Sequence, residues 1–267
     1  MMRLLTLLNL QWVPTIAGFT VLEAWRSRLF AWAALGALLV ACTHPFLAEL
    51  AQADVARLKA GLLGGPLRMM AVFSVAALVV SAMVRELNDK VTELVLAMAV
   101  PRHQFFLGKL AGYMLCSLGM ALIFALPVLP LFQAPGLYAW VAWAGWTTSL
   151  ALELSLLAGV ALLAVLTFGH MALAMGATFA MYLMSRLLAD VQLIARTGMH
   201  GEASDKAADG LLSLLGLVLP RLDLFTQTEW LISGVDAAAL GALAGQVALY
   251  LGLLAAVGLW DLHRREW

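Results

Sequence analysis

Long apolar runs separated by short polar stretches dominate the hydrophobicity pattern of this chain. About six of these runs approach or exceed the ~20 residues that a helix needs to cross the hydrocarbon core of a bilayer. Because lipid offers backbone groups no hydrogen-bond partners, such runs are expected to be helices rather than open strands. The predicted spans are 29–50, 67–84, 110–132, 137–166, 171–189 and 237–260.

Composition supports the same conclusion. The 267 residues are 63% hydrophobic and only 12% charged, whereas a soluble globular domain carries about 25% charged residues. The 16 basic and 16 acidic residues give a formal net charge of +0, so no excess of positive charge favours binding to nucleic acid. The sequence therefore predicts an all-α integral membrane protein in which residues 1–267 form a single transmembrane domain.

The segment before the first predicted span has the pattern of a helix lying in the membrane interface. Trp25 lies on its apolar face, and Arg26 and Arg28 flank that face, where they can reach lipid headgroups. We therefore predict an N-terminal elbow helix within residues 1–28. The alternative is a further span over residues 4–22. The residues that disfavour this span are Asn9, Gln11 and Pro14.

Basic residues indicate which side of the membrane each polar stretch occupies. With an even number of spans, the N-terminal segment, residues 85–109 and the C-terminal end all lie on one side. Their basic residues are Arg3, Arg26, Arg28, Arg85, Lys90, Arg102, Lys109, Arg264 and Arg265. Since loops rich in lysine and arginine stay in the cytoplasm, we expect both termini to be cytoplasmic. Other basic residues fall on the opposite side, so the bias is modest.

The polar stretch 190–236 is then expected on the outside. It contains an apolar run, 211–219, that is too short to cross the bilayer and is stopped by a proline. A re-entrant segment with short helices before the last span fits this pattern. Thr226 and Glu229 have capping-box spacing, which predicts a short helix after them. Asp236 is placed to cap the last span.

Residues 85–109 contain the most informative pattern. Apolar residues recur at helical spacing over 87–98, which predicts an amphipathic cytoplasmic helix that Pro101 ends. Glu86 and Lys90 form a favourable i,i+4 pair. Such a helix either rests on the bilayer surface or docks against a partner protein, and the pattern alone favours neither alternative.

Motifs for catalysis are missing from the sequence. It has no G-x-x-x-x-G-K-[ST] phosphate loop, CxxC pair, HExxH or GxSxG, so ATP hydrolysis by this chain is not expected. Glu153 lies deep in the fourth predicted span, where a charge costs roughly 2.5–3.5 kcal/mol on insertion scales. Glu153 therefore either serves a transport path or dimer seam, or makes a structural hydrogen bond to a neighbouring helix.

Several short patterns occur in the order typical of one family, and the chain resembles the permease subunits of type-2 ABC transporters. Members carry an acidic residue after the second span, a Thr-acidic-Leu-Leu helix, a Pro-Val-Ser-Arg turn and a Leu-Gly-Lys opening of the third span. An amphipathic elbow and a stretch before the last span complete the pattern. The matching residues are Glu86, Thr92-Glu93-Leu94-Val95, Val100-Pro101-Arg102, Leu107-Gly108-Lys109, Trp25-Arg26-Ser27-Arg28 and Leu219-Pro220-Arg221-Leu222-Asp223-Leu224-Phe225. The family's glycine before the threonine is replaced by Lys90-Val91, and the proline lies two positions later than usual.

The resemblance implies a mechanism and a set of partners. The cytoplasmic helix would be a coupling helix seated in a groove of a separate ABC ATP-binding subunit. ATP and magnesium would bind there, so this chain would be a non-enzymatic subunit with no cofactor or metal of its own. A second permease copy or a similar chain, membrane lipid, and additional periplasmic or accessory subunits would be its other partners. The residues implied in coupling are Glu86, Thr92, Glu93, Leu94, Val95, Pro101 and Arg102.

The expected function is that of an exporter in the bacterial cytoplasmic (inner) membrane, and two other classes are alternatives. An ATP-independent secondary transporter usually shows inverted repeats or broken helices with intramembrane charges, and no clear repeat is seen. A membrane-embedded enzyme needs convergent polar residues in its spans, for which Glu153 and His170 make a thin set. The sequence does not identify the substrate.

Overall fold

The computed structural model describes residues 11–43, 55–90, 100–131, 137–196, 216 and 219–264. Helices make up most of this part of the chain, and no strand occurs in it, so the all-α prediction is confirmed. Short 3-10 segments occur at Leu126–Leu131 and Leu222–Leu224. The α-helices are α1 (Val13–Arg26), α2 (Leu29–Cys42), α3 (Val55–Asn88), α4 (Arg102–Ala125), α5 (Leu137–Phe168), α6 (Met171–Arg196), α7 (Trp230–Ser233) and α8 (Ala237–Arg264).

Five helical stretches are long and apolar enough to cross a membrane, which indicates a multi-pass, membrane-embedded protein. They are Ala60–Asn88, Arg102–Leu129, Ala139–Phe168, Met171–Leu188 and Ala237–Asp261, and each overlaps a predicted span. The first predicted span is less simple. Its described helix, α2, has only 14 residues, and a sixth crossing is reached only if α1 and α2, bent by 56° relative to each other, form one span.

α5 is the central helix of the bundle. It packs against α3, α4, α6, α7 and α8. Of the 18-residue apolar stretch that makes it a candidate span, 83% is buried, compared with 17% of the corresponding stretch in α8. An apolar helix buried on all sides belongs to the core of a bundle. α8 instead lies at the periphery, with apolar side chains that face outward, as in a helix bordered by lipid. These side chains are Leu249, Leu253, Val257 and Trp260.

α1 approaches α4 closely at two glycines. A Cβ atom added at Gly108 would lie 2.7 Å from Ile16 Cβ, and one at Gly112 would lie 2.7 Å from Thr20 Cβ. Small residues spaced four apart let helix backbones approach each other in this way. The Gly108-x-x-x-Gly112 pattern therefore serves packing within the chain.

A helix, α1, is present in the predicted N-terminal segment and ends at Arg26. Arg28 adopts a left-handed conformation (φ 59°) as the N-cap of α2. The polar face of α1, with Thr20 buried, lies against the bundle, whereas Trp25 on the other face is 70% exposed. Its ring centroid lies 5.5 Å from that of Phe30. An interfacial orientation of α1, with Arg26 and Arg28 at the headgroups, stays a prediction.

Replacing Gly112 by alanine is expected to destabilise the protein by about 1–3 kcal/mol, the usual cost of overpacking. The added methyl group would meet Thr20 Cβ at 2.7 Å and the carbonyl oxygen of Ala17 at 3.1 Å, so α1 must move away from α4. Thermal unfolding in detergent micelles measures the change.

The matched control for this variant is Gly241→Ala in α8. Among the described residues, nothing lies within 4 Å of a Cβ atom added there. Alanine also favours helix over glycine by up to about 1 kcal/mol, so the control should be neutral or slightly stabilising. Equal melting temperatures for the two variants would contradict the close approach of α1 and α4.

Candidate functional site

Two acidic and two basic side chains meet where α1, α3 and α4 come together, and we refer to them as the four-charge cluster. Its members are Glu23, Arg85, Glu86 and Lys109. Lys109 Nζ donates a hydrogen bond to Glu86 Oε1 in a buried ion pair. Arg85 Nη2 donates to Glu23 Oε1 at 2.6 Å in a more exposed pair. The four charges sum to zero, and the two pairs connect three helices.

The Glu86–Lys109 pair is buried almost completely. The two residues are 6% and 7% exposed. An isolated charge in such a place would cost several kcal/mol, so each side chain can be buried only because the other compensates its charge. The ring of Phe105 lies 6.0 Å from Lys109 Nζ and covers the pair on one side. The pair fixes the end of α3 against the start of α4, and these are the helix ends that flank residues 91–99.

The coupling residues predicted from the sequence fall into two groups. Thr92, Glu93, Leu94 and Val95 lie outside the described residues. Pro101 precedes α4 in an extended conformation (φ −63°, ψ 138°), and Arg102 is the first residue of α4. α4 thus begins eight residues before the predicted third span, and the predicted end of the cytoplasmic helix at Pro101 stays a prediction. Glu86 turns its carboxylate toward Lys109 inside the protein.

A second polar cluster surrounds Glu153 inside the bundle. Glu153 is fully buried (0% exposed). It accepts hydrogen bonds from Tyr182 Oη at 2.9 Å and Thr226 Oγ1 at 2.5 Å, and Arg186 Nη1 lies 3.9 Å from its Oε1. Glu153 therefore joins α5 to α6 and to the stretch before α7. A role in a transport path or dimer seam stays a prediction.

Arginine side chains hold the non-helical backbone of this stretch. Arg186 Nη1 donates to the carbonyl of Leu222 and, at 2.9 Å, to that of Phe225. Arg68 Nη1 lies 3.5 Å from the carbonyl oxygen of Thr226. Non-helical backbone at membrane depth requires protein partners of this kind. Leu222 and Phe225 are buried, so this part of the chain inserts into the bundle, while most of the predicted re-entrant run 211–219 lies outside the described residues.

Two local predictions are confirmed in this region. The short helix predicted after Thr226 and Glu229 is present as α7, although its N-cap makes no side-chain hydrogen bond. The Thr226 hydroxyl donates to Glu153 instead. A hydroxyl donates more strongly to a carboxylate than to a neutral acceptor. Asp236 does cap the last span, since its Oδ1 accepts a hydrogen bond from Ala238 N at 3.3 Å.

Sequence reasoning missed most partners of Glu153. Arg186 lies inside the predicted span 171–189, and a charge within a span predicts a partner in the bundle, so this signal was present. Nothing in the sequence pairs Arg68 with Thr226. Within the described ranges, no three His, Cys, Asp or Glu side chains lie together as metal ligands.

An apolar groove of about 650 Å³ opens between α4 and α5. Its lining carries no charged side chain. The hydroxyls in it bond within their own helix, such as Thr147 to the Trp143 carbonyl at 2.7 Å, and the Trp143 indole N–H donates to the Ala125 carbonyl of α4 at 2.8 Å. The groove suits an acyl chain or an apolar helix rather than an ionic substrate. Other lining residues are Met114, Leu115, Leu118, Leu122 and Leu152.

No protein-family model matches the chain, and the search of curated proteins gives no match. The resemblance to type-2 ABC permeases therefore rests on the ordered motifs of the sequence alone.

Proposed function

We propose that this protein is the permease subunit of an ATP-driven ABC transporter of the type-2 class, acting as an exporter. The observation that carries the proposal is the four-charge cluster. The buried Glu86–Lys109 pair fixes both helix ends that flank residues 91–99, and the motif order puts the coupling helix in that segment. A coupling helix can pass movement from an ATP-binding subunit to the membrane helices only if the helix ends on both sides of it are held rigidly.

In this proposal, force enters at residues 91–99 through Thr92, Glu93, Leu94 and Val95. A separate ATP-binding subunit binds this cytoplasmic helix and moves it when ATP and magnesium bind there. The Glu86–Lys109 pair transmits the movement to α3 and α4, because breaking a buried pair costs about 3–5 kcal/mol. Pro101 and Arg102 begin α4, and their part is to set the angle between the coupling helix and α4.

The first helix takes part through the other ion pair. Arg85 follows the movement of α3 and holds Glu23 of α1 at 2.6 Å. α1 also packs closely on α4 at Gly108 and Gly112. The proposed elbow helix is thus attached to both helices that receive the force.

The proposal also orients the protein in the bacterial inner membrane, with both termini and the four-charge cluster in the cytoplasm. On α3, Arg68 precedes Glu86 by 18 residues, which is about 27 Å of helix. The hydrocarbon core is about 30 Å thick. The Glu153 cluster then lies toward the outer side. A second permease copy or a similar chain, with or without accessory subunits, completes the transporter.

The test is a double variant in the coupling segment, Glu93→Ala with Leu94→Ala. We expect capture of the ATP-binding subunit to fall roughly 30-fold, as for loss of a central interface contact, while membrane insertion is unchanged. The measurement is co-purification with the tagged full-length chain, with ATP hydrolysis by the complex as the second readout. Recovery of no nucleotide-hydrolysing protein with the wild-type chain would contradict the proposal.

The matched control is Glu202→Ala with Ser204→Ala, which changes two residues in the loop proposed to lie outside. This control should leave capture of the ATP-binding subunit unchanged. Cysteines introduced at residues 93 and 203 then report sidedness. In a background with Cys42 and Cys116 replaced by serine, a membrane-impermeant thiol reagent added from outside should label only position 203. Labelling of position 93 from outside would contradict the proposed role of residues 91–99 in coupling.

An ATP-independent secondary transporter is the second candidate, and a specific observation favours it. Such proteins place charges and non-helical backbone inside the membrane domain, as Glu153, Arg186 and residues 222–226 do. Transport by the purified chain in vesicles without ATP or a second subunit would support this alternative over the ABC permease.

A further inference from the structure

Two arginines, Arg68 of α3 and Arg186 of α6, lie near the contact between these helices. The region around them contains more basic than acidic side chains. Arg186 lies 3.9 Å from Glu153, and the two guanidinium groups contact the carbonyls of adjacent residues, Arg186 that of Phe225 and Arg68 that of Thr226. Among the described residues, no carboxylate lies within ion-pair distance of Arg68. Asp223 is paired with Arg221 at 3.0 Å. Counted over these described side chains, the region carries one surplus positive charge.

Two buried donors in this region have no hydrogen-bond partner among the described residues. They are Arg68 Nε and Ser185 Oγ. Ser185 is 1% exposed. It lies three residues after Tyr182, and Arg186 lies four residues after Tyr182, so both are neighbours of Tyr182 on α6. Arg68 has only the 3.5 Å contact with the Thr226 carbonyl. Buried donors are normally satisfied, so an acceptor with negative charge fits here.

The surface around the two arginines is apolar. Phe73 of α3 stacks on Phe179 of α6 with ring centroids 5.8 Å apart. Exposed side chains continue this surface along both helices: Met69, Met70, Leu183, Met184 and Leu187. Arg68 itself lies about 27 Å from Glu86 along α3, near the depth at which the hydrocarbon gives way to headgroups.

We propose that Arg68, Arg186 and Ser185 bind a phosphate group, supplied by the headgroup of an anionic phospholipid between α3 and α6. Guanidinium groups bind phosphate oxygens through paired N–H donors, and the hydroxyl of Ser185 adds a third donor. The phosphate balances the surplus charge, and the acyl chains lie against the apolar surface beside Phe73. Binding of this kind is independent of the proposed transport function.

The first experiment identifies the source of the phosphate. The full-length chain in a neutral detergent is titrated with short-chain phosphatidic acid, phosphatidylcholine or inorganic phosphate, and bound molecules are counted by native mass spectrometry. Saturable binding of phosphatidic acid, with little binding of phosphatidylcholine, supports the lipid site. Saturable binding of inorganic phosphate at the same concentrations supports the site but assigns it to free phosphate. Binding of none of the three, or equal binding of both lipids, overturns the proposal.

The second experiment locates the site with Arg68→Gln. This variant keeps the contacts of Arg186 with the Leu222 and Phe225 carbonyls, so the inserted stretch should stay in place. We expect phosphatidic acid to bind roughly tenfold more weakly, the effect of losing one charge-assisted hydrogen bond. Thermal unfolding without added lipid checks the fold of the variant.

Two further variants make the outcome unambiguous. Ser185→Ala removes only a hydroxyl, folds without a new charge, and should weaken binding several-fold. Arg221→Gln is the control, because it removes a guanidinium whose side chain is 57% exposed and that belongs to the same part of the chain. Equal losses for Arg68→Gln and Arg221→Gln, or no loss for Arg68→Gln and Ser185→Ala, would overturn the assignment.

Discussion

Replacing Lys109 by methionine is expected to lower the free energy of unfolding by about 3–5 kcal/mol, because Glu86 is left buried without a counter-charge. Methionine has a similar length, so packing in the first turns of α4 is retained. Glu23, the other acid of the four-charge cluster, is also a carboxylate and cannot replace Lys109 as the counter-charge. Chemical unfolding in mixed micelles measures the change.

The controls for Lys109→Met separate loss of charge from loss of packing. Combining it with Glu86→Gln removes both charges and should restore most of the lost stability. Arg85→Gln breaks the neighbouring pair, whose side chains are 52% and 34% exposed, and should cost roughly 0.2–1 kcal/mol. If Lys109→Met costs no more than Arg85→Gln, the ion pair does not hold the two helix ends together.

Replacing Glu153 by leucine is expected to destabilise the protein by about 3–5 kcal/mol as well. The change removes the acceptor of the Tyr182 and Thr226 hydroxyls and leaves Arg186 without the carboxylate at 3.9 Å. The stretch 222–226 should then be held only by the Thr226 N–H bond to Ser149 Oγ and by the side chains that contact its carbonyls. Thermal unfolding measures the loss.

Graded variants at the same site give the matched comparison for Glu153→Leu. Glu153→Gln keeps an oxygen acceptor and should cost less than leucine. Tyr182→Phe removes one hydrogen bond to a charged group, worth about 1.5–3 kcal/mol. Thr148→Ala is the control, because Thr148 is exposed and its hydroxyl bonds only to the Ala144 carbonyl of its own helix at 2.7 Å. An effect of leucine no larger than that of Thr148→Ala would show that Glu153 holds nothing in place.

α3 contributes to both polar clusters, with Glu86 near one end and Arg68 near the other. Within the proposed function, a movement of Glu86 therefore displaces Arg68 as well, and with it the contact between Arg68 and the Thr226 carbonyl. Pro66 of α3 lies two residues before Arg68 and therefore outside the part of the helix that connects Arg68 to Glu86.

The apolar pattern alone is sufficient to predict the membrane-spanning helices. In lipid, a single segment can satisfy all of its backbone hydrogen bonds only by forming a helix. Length then separated spans from shorter runs. A local signal also worked where no tertiary partner competed, since Asp236 caps α8. Sequence patterns alone therefore predict the fold class, most spans and the start of the last helix.

Which polar residues meet was decided only by the tertiary structure. Glu86 and Lys109 are separated by 23 residues, and Glu153 and Thr226 by 73. Such pairs depend on the rotation and register of packed helices, which close contacts such as that of α1 on Gly112 fix. Periodicity shows which face of a helix is apolar, but it does not show which neighbour covers that face. For the same reason Thr226 bonds to Glu153 across the bundle rather than to the backbone of α7.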